Sequence, residues 1–289
     1  MRKIVSIVII LVVSALSVQL NAQLKSPLKS VKSAASNAAA GAKESAAGVA
    51  SNAKEAATGV ATEAKNTATA TVAEAKSAAF DKAFNDVGAK ISGWMDQNNV
   101  VVGEDSKYAE QLSALTGKFT SLNGVTLNYK AYESSEIVSY AFPDGGIRVS
   151  TALIDAFTSE ELFGLLANQI GHVINLDTRE ALVKAISKDN ANQTLAVQID
   201  KLLSLSGEKL GTFVNDLIGT PYTDEQETKA DEYAYNLLKD NEKKVTELIS
   251  ALNKLATGAV EAPKYTNVHP GSEQRVIALK AKAEADNLK

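Results

Sequence analysis

The hydrophobic positions of this chain fall into three successive patterns. Residues 1–22 are dominated by an apolar run, and residues 23–78 are rich in alanine and lysine with few large side chains. From residue 79 to residue 289, larger apolar side chains recur at the spacings of helices and strands. We therefore expect a short leader, a low-complexity segment and one folded domain.

The first pattern is typical of an export signal. Arg2 and Lys3 precede an apolar run from residue 4 to residue 18, and a cleavage point follows Ala22. This run of about 15 residues is short for a membrane span, which needs roughly 20. We expect a cleaved signal and a periplasmic or extracellular protein, with an uncleaved, membrane-associated anchor as the alternative.

The second pattern is a repeat with a period of 11 residues. Ala-Lys pairs stand at 42–43, 53–54, 64–65 and 75–76. Eleven residues complete three turns of a nearly straight helix, and the segment resembles the repeats of late-embryogenesis-abundant proteins. Alanine buries little surface and the segment contains glycines, so a solvated stalk is favoured. The alternative is a helix that forms on a membrane, on the cell envelope or on a partner.

The third pattern predicts an α+β domain, mostly helical with a small sheet. Apolar residues at helical spacing indicate an amphipathic helix from about residue 80 to 94, and alternating residues indicate strands. The predicted strands cover 125–132, 137–141 and 147–149. The predicted helices cover 106–116, 158 to about 176 with a capping box at its start, 178–204, 207–218, 223–240, 242–257 and 272–288.

Composition excludes two classes of protein. The net charge of −4 comes with no basic stripe interleaved with aromatic residues, which excludes nucleic-acid binding. The chain has no cysteine, so disulfides and a lipid-modified cysteine are excluded as well. The exported domain therefore depends on its hydrophobic core for stability.

Candidate chemistry begins at residues 168–172, which read Asn-Gln-Ile-Gly-His. In the zinc-protease pattern H-E-x-x-H, two histidines one helical turn apart bind zinc and the glutamate activates water. Here asparagine stands at 168 and glutamine at 169, and only His172 remains. Taken alone, a histidine on such an apolar helix is more often a core residue than a metal ligand.

Two further groups lie later in the chain. Glu227 and Asp231 are four residues apart, so they share a helix face as a zinc ligand and its supporting carboxylate would. A solvated acidic face explains that pair equally well. His269 precedes a proline, with Arg275 six residues later, and a surface histidine is the alternative there.

The order of these pieces resembles a known family. Segments 142–153, 159–162 and 166–173, followed by 227–231 and 269–275, resemble the zinc metallopeptidases that include CAAX prenyl endopeptidases and HtpX-like proteases. The resemblance covers most of the folded domain, and it implies a metallopeptidase fold for a degenerate member of that family.

The resemblance also implies roles for individual residues. Position 168 corresponds to the first zinc ligand, and Gln169 stands at the general-base position. His172 and Glu227 correspond to the second and third ligands, and His269 to a histidine near the metal.

Further residues of the family pattern support the site. Asp231 and Arg275 correspond to groups behind the ligands. The strand of Ile147, Arg148, Val149 and Ser150 corresponds to the cleft edge, where a substrate backbone could add as a strand.

The substitutions argue against hydrolysis. An asparagine amide is a poor zinc ligand, and Gln169 cannot accept a proton from water. We therefore expect no cofactor and a non-catalytic protein that binds extended polypeptide or a partner protein. One alternative is residual zinc endopeptidase activity that uses His172, Glu227 and His269. Another is an envelope-associated structural protein.

Overall fold

The computed structural model describes residues 78–188 and 192–288. The predicted signal (1–22) and the Ala/Lys-rich segment up to residue 77 lie outside the described residues, so the interpretations of both stay predictions. The chain divides into the units Met1–Asp81 and Lys82–Lys289. The sheet, the hydrophobic core and the candidate site all lie in the second unit.

Helices dominate the described residues. The first helix, α1, covers 78–98. The strands are β1 (Ser121–Leu122), β2 (Val125–Thr126), β3 (Asn128–Tyr132), β4 (Ser139–Ala141) and β5 (Gly146–Ser150). The other helices are α2 (Lys107–Thr116), α3 (Thr151–Ala156), α4 (Ser159–Ile174), α5 (Asp177–Ser187), α6 (Leu195–Ser204), α7 (Gly207–Ile218), α8 (Asp224–Asp240), α9 (Val245–Ala256), α10 (Pro263–Val268) and α11 (Ser272–Ala285).

This arrangement confirms the predicted α+β class. The capping box that opens α4 is formed as expected, with Thr158 and Glu161 each accepting a backbone hydrogen bond from the other. The continuous helix predicted over 178–204 is instead two helices, α5 and α6. The short helices α3 and α10 escaped sequence analysis because six residues show too little helical period. None of the helices formed by described residues is both long and apolar enough to cross a membrane.

The main sheet has the strand order β3-β5-β4. Strand β5 pairs with β3 in parallel and with β4 in antiparallel orientation, and all five of its residues are buried. The prediction that Ile147, Arg148, Val149 and Ser150 form the cleft edge is therefore wrong. Hydrogen bonds on both sides leave this strand no free edge for a substrate. Within the part of the chain that the structure describes, the outer side of β4 has no strand partner, whereas the outer side of β3 is contacted by Val101 and Val102.

Helix α4 is the centre of the main core, and it packs closely against α8 and α9. A methyl group added at Gly171 would lie 2.7 Å from the carbonyl oxygen of Ala230 in α8. One added at Gly164 would lie 2.9 Å from the Cα atom of Leu248 in α9. Glycine at these two positions lets the backbones approach. The close contact with α8 brings the polar residues of the two helices together.

A partly buried ionic cluster joins α1 to the sheet through Asp96. Its Oδ1 atom accepts hydrogen bonds from Arg148 Nε (2.8 Å) and the Tyr132 hydroxyl (2.7 Å). Its Oδ2 atom accepts from Lys130 Nζ (2.7 Å) and Arg148 Nη2 (3.1 Å). Burial alone would raise the pKa of Asp96, but the hydrogen bonds from Arg148, Lys130 and Tyr132 outweigh it and lower the pKa to about 2.

Replacing Asp96→Asn should destabilise the domain at neutral pH by about 1–3 kcal/mol, since Arg148 stays buried without its counter-charge. The folded-state pKa of Asp96 lies below the unfolded value of about 3.9. The ionised carboxylate of Asp96 therefore adds to the free energy of unfolding above pH ~4, and this stabilisation is lost as the pH falls toward 2. Urea unfolding at pH 7, 4 and 3 measures the difference between natural chain and variant. A difference that stays constant over this range would contradict the assignment.

Candidate functional site

Helices α4 and α8 place four polar side chains in the interior. Asn168 and His172 lie one turn apart on α4 and face Glu227 and Asp231, which lie one turn apart on α8. The turn after α10 adds His269. Each of these five side chains is at most 3% exposed, so the residues selected from the sequence form one buried cluster.

His172 is held from three sides. Its Nδ1 atom lies 2.9 Å from Asp177 Oδ2, at the start of α5, and its ring stacks on Tyr222 with centroids 3.7 Å apart. Its Nε2 atom lies 3.4 Å from Glu227 Oε1 but forms no aligned hydrogen bond. Burial alone would lower the pKa of His172, whereas the carboxylates of Asp177 and Glu227 outweigh it and raise the pKa.

Glu227 connects the two histidines with a buried arginine. Its Oε1 atom lies 2.8 Å from His269 Nδ1, and its Oε2 atom lies 2.8 Å from Arg275 Nη1. Burial would raise the pKa of Glu227, but the charges of Arg275 and His269 hold it well below its usual range. Burial also lowers the pKa of His269, which favours the neutral ring.

Asp231 and Arg275 form the rear wall of the cluster. Arg275 donates two hydrogen bonds to Asp231, both 2.7 Å long, and this bidentate pair fixes the carboxylate. Asp231 Oδ1 also accepts a hydrogen bond from Asn168 Nδ2 at 2.8 Å. Asp231 therefore orients the residue at position 168.

The amides of Asn168 and Gln169 are both engaged inside the cluster. Asn168 Nδ2 lies 3.4 Å from Glu227 Oε2, besides its shorter contact with Asp231. Gln169 Nε2 lies 3.1 Å from His269 Nε2, whereas Gln169 Oε1 has no hydrogen-bond partner. The glutamine thus reaches the second nitrogen of His269.

Three of these side chains fit a metal ion. His172, Glu227 and His269 each offer one ligand atom, and these atoms lie within 4.8 Å of one another. Two imidazoles and a carboxylate are a typical donor set for zinc. The buried Nε2 atom of His172 has no hydrogen-bond partner, as expected for an atom reserved for a cation. The donor chemistry of the site therefore suits zinc.

The approach to the cluster runs along the free edge of β4. A recess of about 30 Å³, lined by Ser139, Ala141, Gln169 and His269 among others, reaches the buried side chains. A groove of about 530 Å³ continues along β4 toward α7 and α10. The backbone of Val138 and Phe142 forms hydrogen bonds with β5. Because hydrogen-bonded and non-hydrogen-bonded positions alternate in an antiparallel pair, the backbone N–H and C=O groups of Ser139 and Ala141 point away from β5.

Sequence analysis missed three parts of this site. Asp177 has a weak sequence signal, because it is an acidic residue that opens the helix after His172. Tyr222 and the free edge of β4 have none. Tyr222 lies 50 positions from His172 in the chain, and only packing brings the two rings together.

Comparison with known proteins agrees with the geometry. The family model described as "Peptidase family M48" matches residues 109–283. Metalloprotease LoiP of Escherichia coli (strain K12) is 27% identical over 200 residues, which covers 68% of this chain and 78% of the relative. Metalloprotease YcaL of the same organism is 26% identical over 190 residues, which covers 63% of this chain and 72% of the relative.

Proposed function

Because the chain belongs to peptidase family M48, we propose that it is a non-catalytic member that uses the family's cleft to bind extended polypeptide. The family match confirms the resemblance found in the sequence, and metalloprotease ancestry is the premise of the proposal. The finer statements, loss of hydrolysis and retention of peptide binding, rest on the arrangement of the cluster.

One observation carries the loss of hydrolysis: the side chain at the general-base position is the amide of Gln169. An amide cannot take a proton from water, and a positioned base contributes about 10²–10⁴ to the rate of such reactions. The carboxylate of Glu227 is already held by Arg275 and His269. A zinc ion held by His172 and Glu227 would polarise a carbonyl group and water, but Gln169, at the position of the base, cannot accept the proton.

The unpaired edge of β4 supports the second statement. The outward N–H and C=O groups of Ser139 and Ala141 can pair with the backbone of an added strand. The groove beside them is lined by apolar residues including Val138, Ile218 and Val268, which suits the side chains of an extended segment. Binding of this kind needs neither a base nor a metal.

Replacing Ala141→Pro should weaken binding of fluorescein-labelled casein about 3- to 10-fold, as measured by fluorescence anisotropy. The proline removes one outward N–H, and one hydrogen bond contributes about 0.5–1.5 kcal/mol. The internal pairing of β4 should survive, because proline is tolerated on an edge strand where its nitrogen faces outward.

The matched control is Ala141→Ser, which retains the N–H and has a similar size. It should bind casein with the affinity of the unsubstituted protein, and the unfolding temperatures of both variants should equal that of the unsubstituted protein. Equal loss of binding in both variants, or no loss in either, would contradict strand addition at β4.

A second candidate function is residual zinc endopeptidase activity. The observation that favours it is the group His172, Glu227 and His269, whose ligand atoms are close enough to share one ion. Casein cleavage that requires zinc and disappears in His172→Ala would establish this function and overturn the first.

We also propose that the protein is exported, with residues 23–78 as a stalk that holds the domain near the envelope or on a partner. Residues 1–22 support export through their order of basic, apolar and cleavage residues. The mature chain should then begin at Gln23, which mass spectrometry of the exported protein measures. A mature chain that retains Met1 or Arg2 would contradict cleavage.

A further inference from the structure

We propose that one divalent metal ion binds between His172, Glu227 and His269 as a structural ion, with His269 in place of the imidazole that is missing at position 168. The proposal goes beyond the proposed function, because an ion can bind here whether or not peptides are hydrolysed. It assigns a ligand set that the H-E-x-x-H pattern does not contain.

The three ligands come from three separate parts of the fold. His172 lies on α4, Glu227 on α8, and His269 in the turn between α10 and α11. All three are at most 1% exposed, and their ligand atoms already lie within 4.8 Å of one another. An ion here would take the place of the direct contacts that Glu227 makes with His172 and with His269, and all three side chains would bind the ion instead.

His172 is oriented as metal-bound histidines are. Its Nδ1 atom faces Asp177 Oδ2 at 2.9 Å, so the proton on Nδ1 is donated to that carboxylate. A carboxylate behind the ring fixes the tautomer and leaves Nε2 as the ligand atom. That Nε2 is buried and unpartnered, and it points at Glu227 Oε1.

His269 can meet the same requirement through Gln169. The amide nitrogen of Gln169 now faces His269 Nε2, so the ring proton lies on Nδ1 and is donated to Glu227. Rotation of the amide by half a turn would present Oε1 to His269 Nε2 instead. The proton then moves to Nε2, and Nδ1 becomes a ligand atom beside Glu227. Gln169 thus acts as a positioning residue that accommodates either tautomer.

The local charges favour a divalent cation. Three buried carboxylates, those of Asp177, Glu227 and Asp231, lie in this cluster opposite one buried guanidinium, that of Arg275. With neutral histidines, the two remaining negative charges match one divalent ion. Since buried charges are stable only when paired, a divalent ion bound by neutral histidines would compensate both of these charges.

The test uses the untagged mature chain, stripped with EDTA and titrated with zinc chloride. Calorimetry should give one zinc per chain, and saturation at about 100 times Kd should raise the unfolding temperature by about 5–10 °C. The chain contains only two histidines, so X-ray absorption at the zinc edge identifies the ligands directly. Two imidazoles per zinc can only be His172 and His269, and one imidazole or none would overturn the proposal.

Variants give a second, independent measurement. His269→Gln should weaken zinc binding by at least about 100-fold, because the loss of a partner behind a ligand already costs 10- to 100-fold. Asn168→Ala is the comparison variant at the position of the family's first ligand; it removes only an amide that contacts Glu227 and Asp231 from behind, so it should weaken zinc binding by about 10- to 100-fold, less than His269→Gln does. The reverse order of the two effects would place the ligand at position 168 and overturn the assignment of His269.

The outcomes separate this proposal from the proposed function. Bound zinc without casein cleavage supports both. Bound zinc with zinc-dependent cleavage supports the ion and overturns the non-catalytic function. An absence of bound zinc at micromolar protein and millimolar zinc chloride overturns the ion and leaves peptide binding at β4 unaffected.

Discussion

Zinc-dependent casein cleavage should rise by about 10²- to 10⁴-fold when Asn168→His and Gln169→Glu are introduced together, because the pair restores a metal ligand and a general base. The remaining groups are already placed for this chemistry. His172 and Glu227 lie on facing helices, Asp177 orients His172, and Asp231 contacts the residue at position 168. The initial rate of casein hydrolysis at saturating zinc is the measurement.

The two single variants distinguish the loss of the metal ligand at position 168 from the loss of the general base at position 169 as the cause of inactivity. Asn168→His alone should bind zinc and cleave nothing, because the base is still absent. Gln169→Glu alone separates the two ligand sets: activity in this variant would mean that His269 completes a competent metal site without position 168. A double variant that binds zinc and remains inactive would refute the claim that the rest of the cleft is preserved.

Replacing Arg275→Met should destabilise the domain by about 3–5 kcal/mol, because it leaves two buried carboxylates without their counter-charge. Arg275 makes a bidentate pair with Asp231 and lies 2.8 Å from Glu227, and it is only 5% exposed. Methionine fills much of the same volume, so packing losses are kept small. For a domain of this size the unfolding temperature should fall by roughly 10 °C, as measured by calorimetry without added metal.

Arg275→Lys is the matched control for charge. Lysine keeps the positive charge but cannot make the bidentate contact, so it should lose less than half as much stability. If both variants lost the same stability, the bidentate hydrogen bonds of Arg275, and not its positive charge, would account for the stabilisation. A loss below about 1 kcal/mol in Arg275→Met would contradict the role given to this ion pair.

Local patterns predicted much of the fold correctly. The helix over 207–218, the capping box at Thr158 and the helices near 223–240 and 242–257 agree with the structure to within a few residues. Each depends on helical period and on capping groups within a few positions of one another, which a sequence displays directly. Where elements have only six residues, as in α3 and α10, the period is too short to detect.

The order of the strands in the sheet could not be predicted from such local patterns. The buried run of Ile147 to Ser150 is equally compatible with a strand at the edge or at the centre of a sheet, since both faces of either can be covered. Only the pairing of β3 and β4 on its two sides shows that it is central. The same pairing moved the predicted substrate edge to Ser139–Ala141.

The sequence by itself determined which side chains stand at the family's positions: Asn168, Gln169, His172, Glu227 and His269. Their order along the chain was enough to identify the family, because helical spacing and motif order are local properties. The tertiary structure alone decided how these groups meet. Gly171 lets α4 approach α8, Tyr222 stacks on His172, and His269 closes on Glu227. Such contacts join residues 42 to 100 positions apart, and only the packing of the core sets their distances.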